Sequence, residues 1–265
     1  MAIGLAALHR GAAGGLILSG IQQIMSMDLK NRNAVVTGAS GGLGLAIAHQ
    51  LAARGARVYG LARRKERLAE ARVTVGENFI PVICDITQEE DVARAFLHIQ
   101  KSSDSLDVLV NNAGLGRFGE LDSMPVEDWD LQMSTNLRGV FLCTRAALPQ
   151  MKEQNRTSGF GGHIVNVASV AGLLGNPRIG AYNATKFGLR GLSESLMKEV
   201  RSDGIKVTCI FPGSIETEFF EQAGVPISAN PMKAEDVAST VLHVIEAPDN
   251  YLVSEVMMRP LRPAG

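Results

Sequence analysis

The sequence predicts a single α/β domain built on a doubly wound parallel sheet of about seven strands. Three observations carry that reading. Short, nearly continuous apolar runs alternate with longer stretches of helical periodicity from residue 33 onward, as strands covered on both faces alternate with crossover helices. The first apolar run leads directly into a glycine-rich turn, TGASGGLG, and then into a helix pattern. At 265 residues, with 46% hydrophobic and 20% charged residues, the chain can bury one large core. It shows no linker rich in Pro, Ser or charge to divide it.

The run 33–36 is the first strand, and LAIAHQLAARGA after the glycine turn is a helix closed by Gly55. RVYGLA (57–62) is the second strand, RKERLAEAR a charged helix, and FIPVIC (79–84) the third strand, ending at Asp85. TQEEDVARAFLHIQ has apolar residues spaced by three and four, a helix with Thr87 as its N-cap. DVLVNNAG (107–114) is a fourth buried strand running into a polar turn, and the stretch from Val126 to Gln154 is one long helix. GHIVNVAS (162–169) is the fifth strand, and 182–204 a second long helix ending at Gly204. IKVTCIFPG is the sixth strand, KAEDVASTVLHVIE the last helix, and YLVSEVMM follows it.

Composition narrows the function. Net charge is −1, and no clustered excess of Lys and Arg suggests a nucleic-acid partner; the group Arg63, Arg64, Lys65, Arg67 is local. Cys84, Cys143 and Cys209 lack metal-ligand spacing and sit in apolar runs, so no metal is expected and the thiols read as buried in a reducing compartment. The apolar part of the N-terminus, 11–25, is too short and too Gly-rich to span a bilayer, so no membrane partner is expected. Residues 1–27 are expected to be a poorly ordered extension, with Met25 or Met27 as an alternative start, and 28–265 to be the domain. Sequons begin at Asn155 and Asn183; a glycan on the second would block the neighbouring Tyr182, which favours the cytoplasm.

The chemistry starts at the turn. Gly38, Gly42 and Gly44 let the backbone approach a ligand at a helix N-terminus, where free N–H groups and the helix dipole favour a pyrophosphate. Gly38–Gly42 also fits a G-x-S-x-G nucleophile elbow around Ser40. That reading needs a histidine on a later strand-end loop, whereas His163 opens a strand and His98 and His243 lie inside helix patterns. Further on, AYNATKFGL places Tyr182 and Lys186 at i and i+4 on one helix face. By itself this is the spacing of many surface pairs.

With TGASGGLG, NNAG, the serine of NVASVAG, YNATK and FPGSIET in this order, the sequence resembles the short-chain dehydrogenase/reductase family from about Asp28 to its end. The resemblance implies a Rossmann fold and an NADP(H)-dependent oxidoreductase interconverting a small carbonyl compound and a secondary alcohol, by carbonyl or 3-oxoacyl reduction. Tyr182 would be the general acid and base, with Lys186 lowering the phenol's pKa and hydrogen-bonding the nicotinamide ribose. Ser169 would hold the substrate oxygen, and Asn136 would complete the tetrad through a water linked to Lys186. Ser40 and Leu43 of the glycine turn would join its glycines at the cofactor. Asp85 and Ile86 would lie at the adenine, Asn112, Ala113 and Gly114 under the adenosine ribose, and Pro212, Gly213, Ile215 and Thr217 over the nicotinamide.

Leu115, Phe118, Val170, Leu174 and Phe219 would line an apolar substrate pocket, and 215–230 would form a short lid. The matching family helices pair across a two-fold axis, so a homodimer or homotetramer is expected. A non-catalytic NADP-binding scaffold or redox sensor is the alternative, disfavoured because such a protein needs no intact tetrad. At the end of the second strand, Ala62 stands where an NAD enzyme carries a carboxylate, and Arg63 and Arg64 follow; their guanidinium groups suit the 2′-phosphate of NADP.

Overall fold

The protein is described by a computed structural model covering residues 27–227 and 229–262. The expected N-terminal extension falls outside these residues except for Met27, which is buried and donates its N–H to Glu246 O at 2.8 Å.

The strands are β1 (Asn33–Thr37), β2 (Arg57–Ala62), β3 (Phe79–Ile83), β4 (Val108–Asn111), β5 (Gly162–Val167), β6 (Ile205–Pro212), β7 (Ile215–Glu216), β8 (Met232–Lys233) and β9 (Glu255–Met258). The helices are α1 (Gly42–Ala53), α2 (Lys65–Val75), α3 (Glu89–Ser102), α4 (Val126–Met133), α5 (Gly139–Ser158), α6 (Gly180–Val200), α7 (Phe219–Gln222) and α8 (Ala234–Ile245). Seven strands form one parallel sheet in the order β3-β2-β1-β4-β5-β6-β9, and β7 pairs with β8. The inner strands β1, β4, β5 and β6 are buried along their whole length, whereas the edge β3 mixes buried and exposed residues and the edge β9 alternates exposed and half-buried ones. On one face Ile47 and Leu51 of α1 and Val241 and Leu242 of α8 join Val36 and Val110 in a core. On the other, Met151 of α5 and Ile99 of α3 pack with Tyr59, Leu109 and Ile164.

Strand order reverses between β1 and its neighbours β2 and β4. A crevice therefore opens beyond the C-terminal ends of these strands, where open α/β sheets bind ligands. Buried amides brace the sheet beside it. Asn111 donates to Thr144 Oγ1 at 3.1 Å and Asn166 Oδ1 at 2.9 Å, and Asn166 donates to Ser193 Oγ at 2.9 Å.

Two expectations need correction. The stretch from Val126 to Gln154 is not one regular helix: a π-helical turn over Ser134–Arg138 separates α4 from α5, which runs on to Ser158. Thr87 does not cap α3, whose N-cap is Gln88; instead Thr87 gives its N–H and hydroxyl to Asp85 Oδ1 at 2.9 and 2.8 Å. The fourth strand runs into its polar turn after Asn111, where Asn112 and Ala113 give their N–H groups to Thr37 Oγ1, each at 3.0 Å. Among the described residues no helix is long and apolar enough to cross a membrane, and no group of three or more His, Cys, Asp or Glu could hold a metal.

Candidate active site

A cleft of about 570 Å³ runs across the C-terminal ends of β1, β2, β4, β5 and β6. Its floor is the turn from β1 into α1. Gly38 has φ 68°, and an added Cβ would lie 3.0 Å from Ala113 Cα. At Gly44 an added Cβ would overlap the Gly38 carbonyl oxygen, so α1 can start this close to β1 only on glycine. Ser40, Gly42 and Leu43 complete this end of the wall. Asn112 Nδ2 donates to Thr37 O at 2.9 Å, fastening the NNAG loop to β1.

At the end of β2, Ala62, Arg63 and Arg64 line the cleft. Both arginines are exposed, and their side chains make no hydrogen bond or ion pair among the described residues. Arg64 is the N-cap of α2, whose first turn carries Lys65, Glu66 and Arg67, so only Glu66 there complements the helix dipole. Asp85 and Ile86 lie alongside, although Asp85 Oδ1 is already occupied by Thr87. Pro212, Gly213, Ile215 and Thr217 close the opposite side, with Gly213 N–H bonded to Met258 O at 2.8 Å.

Tyr182 and Lys186 lie on the first turns of α6, 8% and 4% exposed. Lys186 Nζ donates to Val167 O, at the end of β5, at 2.9 Å and stands 5.5 Å from the centre of the Tyr182 ring. The Tyr182 phenol is not lowered as expected. Burial pushes Tyr182 up to about 12, with the Ser169 hydroxyl pulling the other way. Burial also pulls Lys186 down to about 8. The reason is dehydration: both groups are enclosed, and an ammonium over the ring face offsets little of that cost.

Ser169 serves the turn as well as facing the cleft, since its Oγ accepts the Ala171 N–H at 3.1 Å. That leaves the hydroxyl proton available to an oxygen in the cleft.

Asn136 is fully buried in the π turn. Its Oδ1 accepts from Leu115 N at 2.9 Å, and its Nδ2 donates to Leu115 O at 2.8 Å and to Thr185 Oγ1 at 3.3 Å. The side chain is thus used in gripping the loop and Thr185, so a water linked to Lys186 would meet Asn136 through its main chain. Such a π turn in an α-helix is frequent at functional sites. Gly114 packs between this amide and Lys186, an added Cβ falling 3.3 Å from Asn136 Oδ1 and 3.6 Å from Lys186 Nζ.

Two positions escaped the sequence reading. Gln132, fully buried four residues before Asn136, grips Arg117 in the same way, accepting its N–H and donating to its C=O, both at 3.1 Å. The signal was a pair of amides at i and i+4 on one helix face. Asn183 is buried and donates to Ala171 O and Leu174 O, so it shapes the loop after Ser169 and offers no surface for a glycan. Leu115, Phe118, Val170 and Phe219 line the cleft as expected; Leu174 is 49% exposed and lies outside it.

The family model described as short chain dehydrogenase matches residues 32–225. The chain is 37% identical over 247 residues to dehydrogenase/reductase SDR family member 11 of Gallus gallus, covering 86% of this chain and 96% of that protein. Among solved structures it is similar to a metagenomic short-chain oxidoreductase in complex with NADP, at 33% identity and TM-score 0.77, covering 89% of this chain and 100% of that one. It is also similar to the 3-ketoacyl-(acyl-carrier-protein) reductase from Brucella melitensis complexed with NADH, at 28% identity and TM-score 0.80, covering 87% and 97%.

Proposed function

Because the chain belongs to the short-chain dehydrogenase/reductase family, we propose that it is an NADP(H)-dependent oxidoreductase that interconverts a carbonyl compound and a secondary alcohol, with Tyr182 as general acid and base. The observation that carries this reading is the meeting of Tyr182, Lys186 and Ser169 at the end of a cleft whose other end is a glycine cradle.

The residues present fit a dinucleotide. Gly38 and Gly44 let α1 start close against β1 and the NNAG loop, which sets the first backbone N–H groups of α1 at the cleft, where a pyrophosphate would bind. Arg63 and Arg64 offer uncommitted guanidinium groups where the 2′-phosphate of NADP would lie, and Ala62 presents no carboxylate to repel it. Solved relatives hold NADP in one case and NADH in another, so the choice of NADP rests on these side chains. When bound, the nicotinamide supplies a hydride to the carbonyl carbon.

Tyr182 gives its phenolic proton to the carbonyl oxygen. With a pKa pushed up to about 12 by burial, the phenol is fully protonated at neutral pH and ready to donate. The phenolate left behind is enclosed, and the Lys186 ammonium one helical turn away is the charge that stabilises it. Ser169 donates its free hydroxyl proton to the same substrate oxygen and so fixes its position. Asn136 acts earlier in the chain of causes, by holding the Leu115 backbone that walls the substrate end.

Three buried free cysteines support a reducing compartment such as the cytoplasm. Phe141 on α5 and Phe187 on α6, each 45% exposed, support a homodimer or homotetramer formed through the two long helices.

The test is a spectrophotometric screen. The purified protein should oxidise NADPH in the presence of at least one ketone, aldehyde or 3-oxoacyl thioester, and reduce NADP with the matching alcohol. Tight NADPH binding with silence across the whole panel would favour the scaffold alternative.

A further inference from the structure

The substrate end of the cleft closes on three aromatic rings. Phe118, on the loop after β4, and Phe219, the first residue of α7, each have their ring centre 5.6 Å from that of Tyr182 and 6.3 Å from one another. The planes cross at 71°, 53° and 59°, the edge-on and tilted arrangements that aromatic pairs prefer. Gly116 makes the meeting possible, since an added Cβ would fall 2.7 Å from Phe118 and 3.0 Å from Phe219.

Phe219 is held inward by ties at both ends of its short helix. Glu218 pairs with Arg67 of α2 at 3.1 Å, and Arg117 Nη1 donates to Gln222 O at 2.8 Å. The Arg117 backbone is itself gripped by buried Gln132.

The same ties use up the charge at this end. Of the cations lining the cleft among the described residues, Arg63 and Arg64 lie at the β2 end, Lys186 is bonded to Val167 O, and Arg117 is shared between Gln222 O and Asp128, 3.6 Å away. A carboxylate carried in beside Tyr182 would be dehydrated with no uncommitted cation among the described residues, which is unfavourable. A neutral ring would instead add edge-on contacts to Phe118 and Phe219 while these keep their places beside Tyr182.

We propose that Phe118 and Phe219 determine substrate choice, forming a slot for an uncharged carbonyl compound with a flat apolar ring next to the C=O group and excluding small oxo acids. This rests on the reductase reading above. The substrate ring packs against Phe118 and Phe219, and its carbonyl oxygen receives the Tyr182 proton while the carbonyl carbon takes the hydride; NADPH is oxidised and the ketone reduced to a secondary alcohol. Each ring pair adds about 2- to 13-fold beyond what buried area gives, so two pairs predict at least about a 5-fold preference for an aryl ketone over an acyclic ketone of similar size.

The experiment compares kcat/KM for acetophenone, 2-octanone and 3-oxobutanoate with NADPH. Acetophenone should lead 2-octanone by about 5-fold or more, with the oxo acid last, and Phe219→Ala and Phe118→Ala should each shrink the aryl-to-alkyl ratio by about 2-fold or more. Phe219→Leu keeps bulk without a π face and should shrink it too, which covers an alanine variant that fails to fold. An oxo acid used at least as well as acetophenone, or ratios unmoved in these variants, overturns the proposal. Saturation-transfer NMR of 1-phenylethanol on the protein without dinucleotide separates this from the reductase reading. If no compound is turned over, the reductase reading fails; ring binding that is lost in Phe219→Leu then still supports the slot, and absence of ring binding to the unmodified protein overturns it.

Discussion

At the residue scale the site depends on two buried groups whose charges burial works against. Lys186 is drawn down to about 8, so it is ammonium at neutral pH and loses its proton as pH rises through that value. Carbonyl reduction should therefore decline as pH rises past about 8, because the Tyr182 phenolate would lose its nearby cation; a pH–rate profile of kcat flat to pH 10 would contradict this. Lys186→Ala should lower turnover by about 10²-fold or more and weaken NADPH binding as well, read by stopped-flow kinetics and by fluorescence titration. The motif spacing made Tyr182, Lys186, Ser169 and Asn136 legible as candidates. Their electrostatics were not, because dehydration depends on residues far away in sequence, such as Phe118 and Phe219, that close over the phenol. For the same reason the grip of the Asn136 amide on the Leu115 loop was not legible, since its partners lie 21 positions away in sequence.

At the element scale the sheet and most helices were legible, since period and apolar runs are local properties and the glycine turn marks the first crossover. What escaped was set by tertiary partners. Thr87 has a good capping side chain, but Asp85 competes for it. The π turn at Ser134–Arg138 has no local signature and accompanies the grip of Gln132 and Asn136 on the loop after β4. The end of β2 yields its own prediction. NADPH should be preferred over NADH by about 10-fold or more in kcat/KM, about 1.4 kcal/mol or more. Ala62→Asp combined with Arg63→Ile should reverse the preference by adding a repelling carboxylate and removing a cation. Equal use of both cofactors by the unmodified protein would refute the assignment.

At the scale of the whole molecule, stability and assembly can be read from groups outside the cleft. His163 is fully buried between strands, with Nε2 2.8 Å from Thr208 Oγ1, and burial together with the Lys206 charge pulls its pKa down to about 3. The unfolded chain, with an ordinary histidine pKa near 6.5, then binds a proton that the folded chain refuses, so stability falls as pH drops below about 6.5 and is unaffected above it. Urea midpoints at pH 6.5 and pH 5 should show the unmodified protein losing ~2 kcal/mol more than His163→Asn does. An equal loss in both would exclude His163 as the source. Light scattering at micromolar concentration should give the mass of a dimer or tetramer, and a monomeric mass would remove the proposed role of Phe141 and Phe187. The most direct measurement of the central claim is NADPH oxidation by the unmodified protein and by Tyr182→Phe on the best carbonyl substrate, with NADPH affinity measured in parallel. The account predicts a loss of about 10³-fold or more in turnover with affinity nearly intact; a Tyr182→Phe protein keeping more than about a tenth of the activity would contradict it.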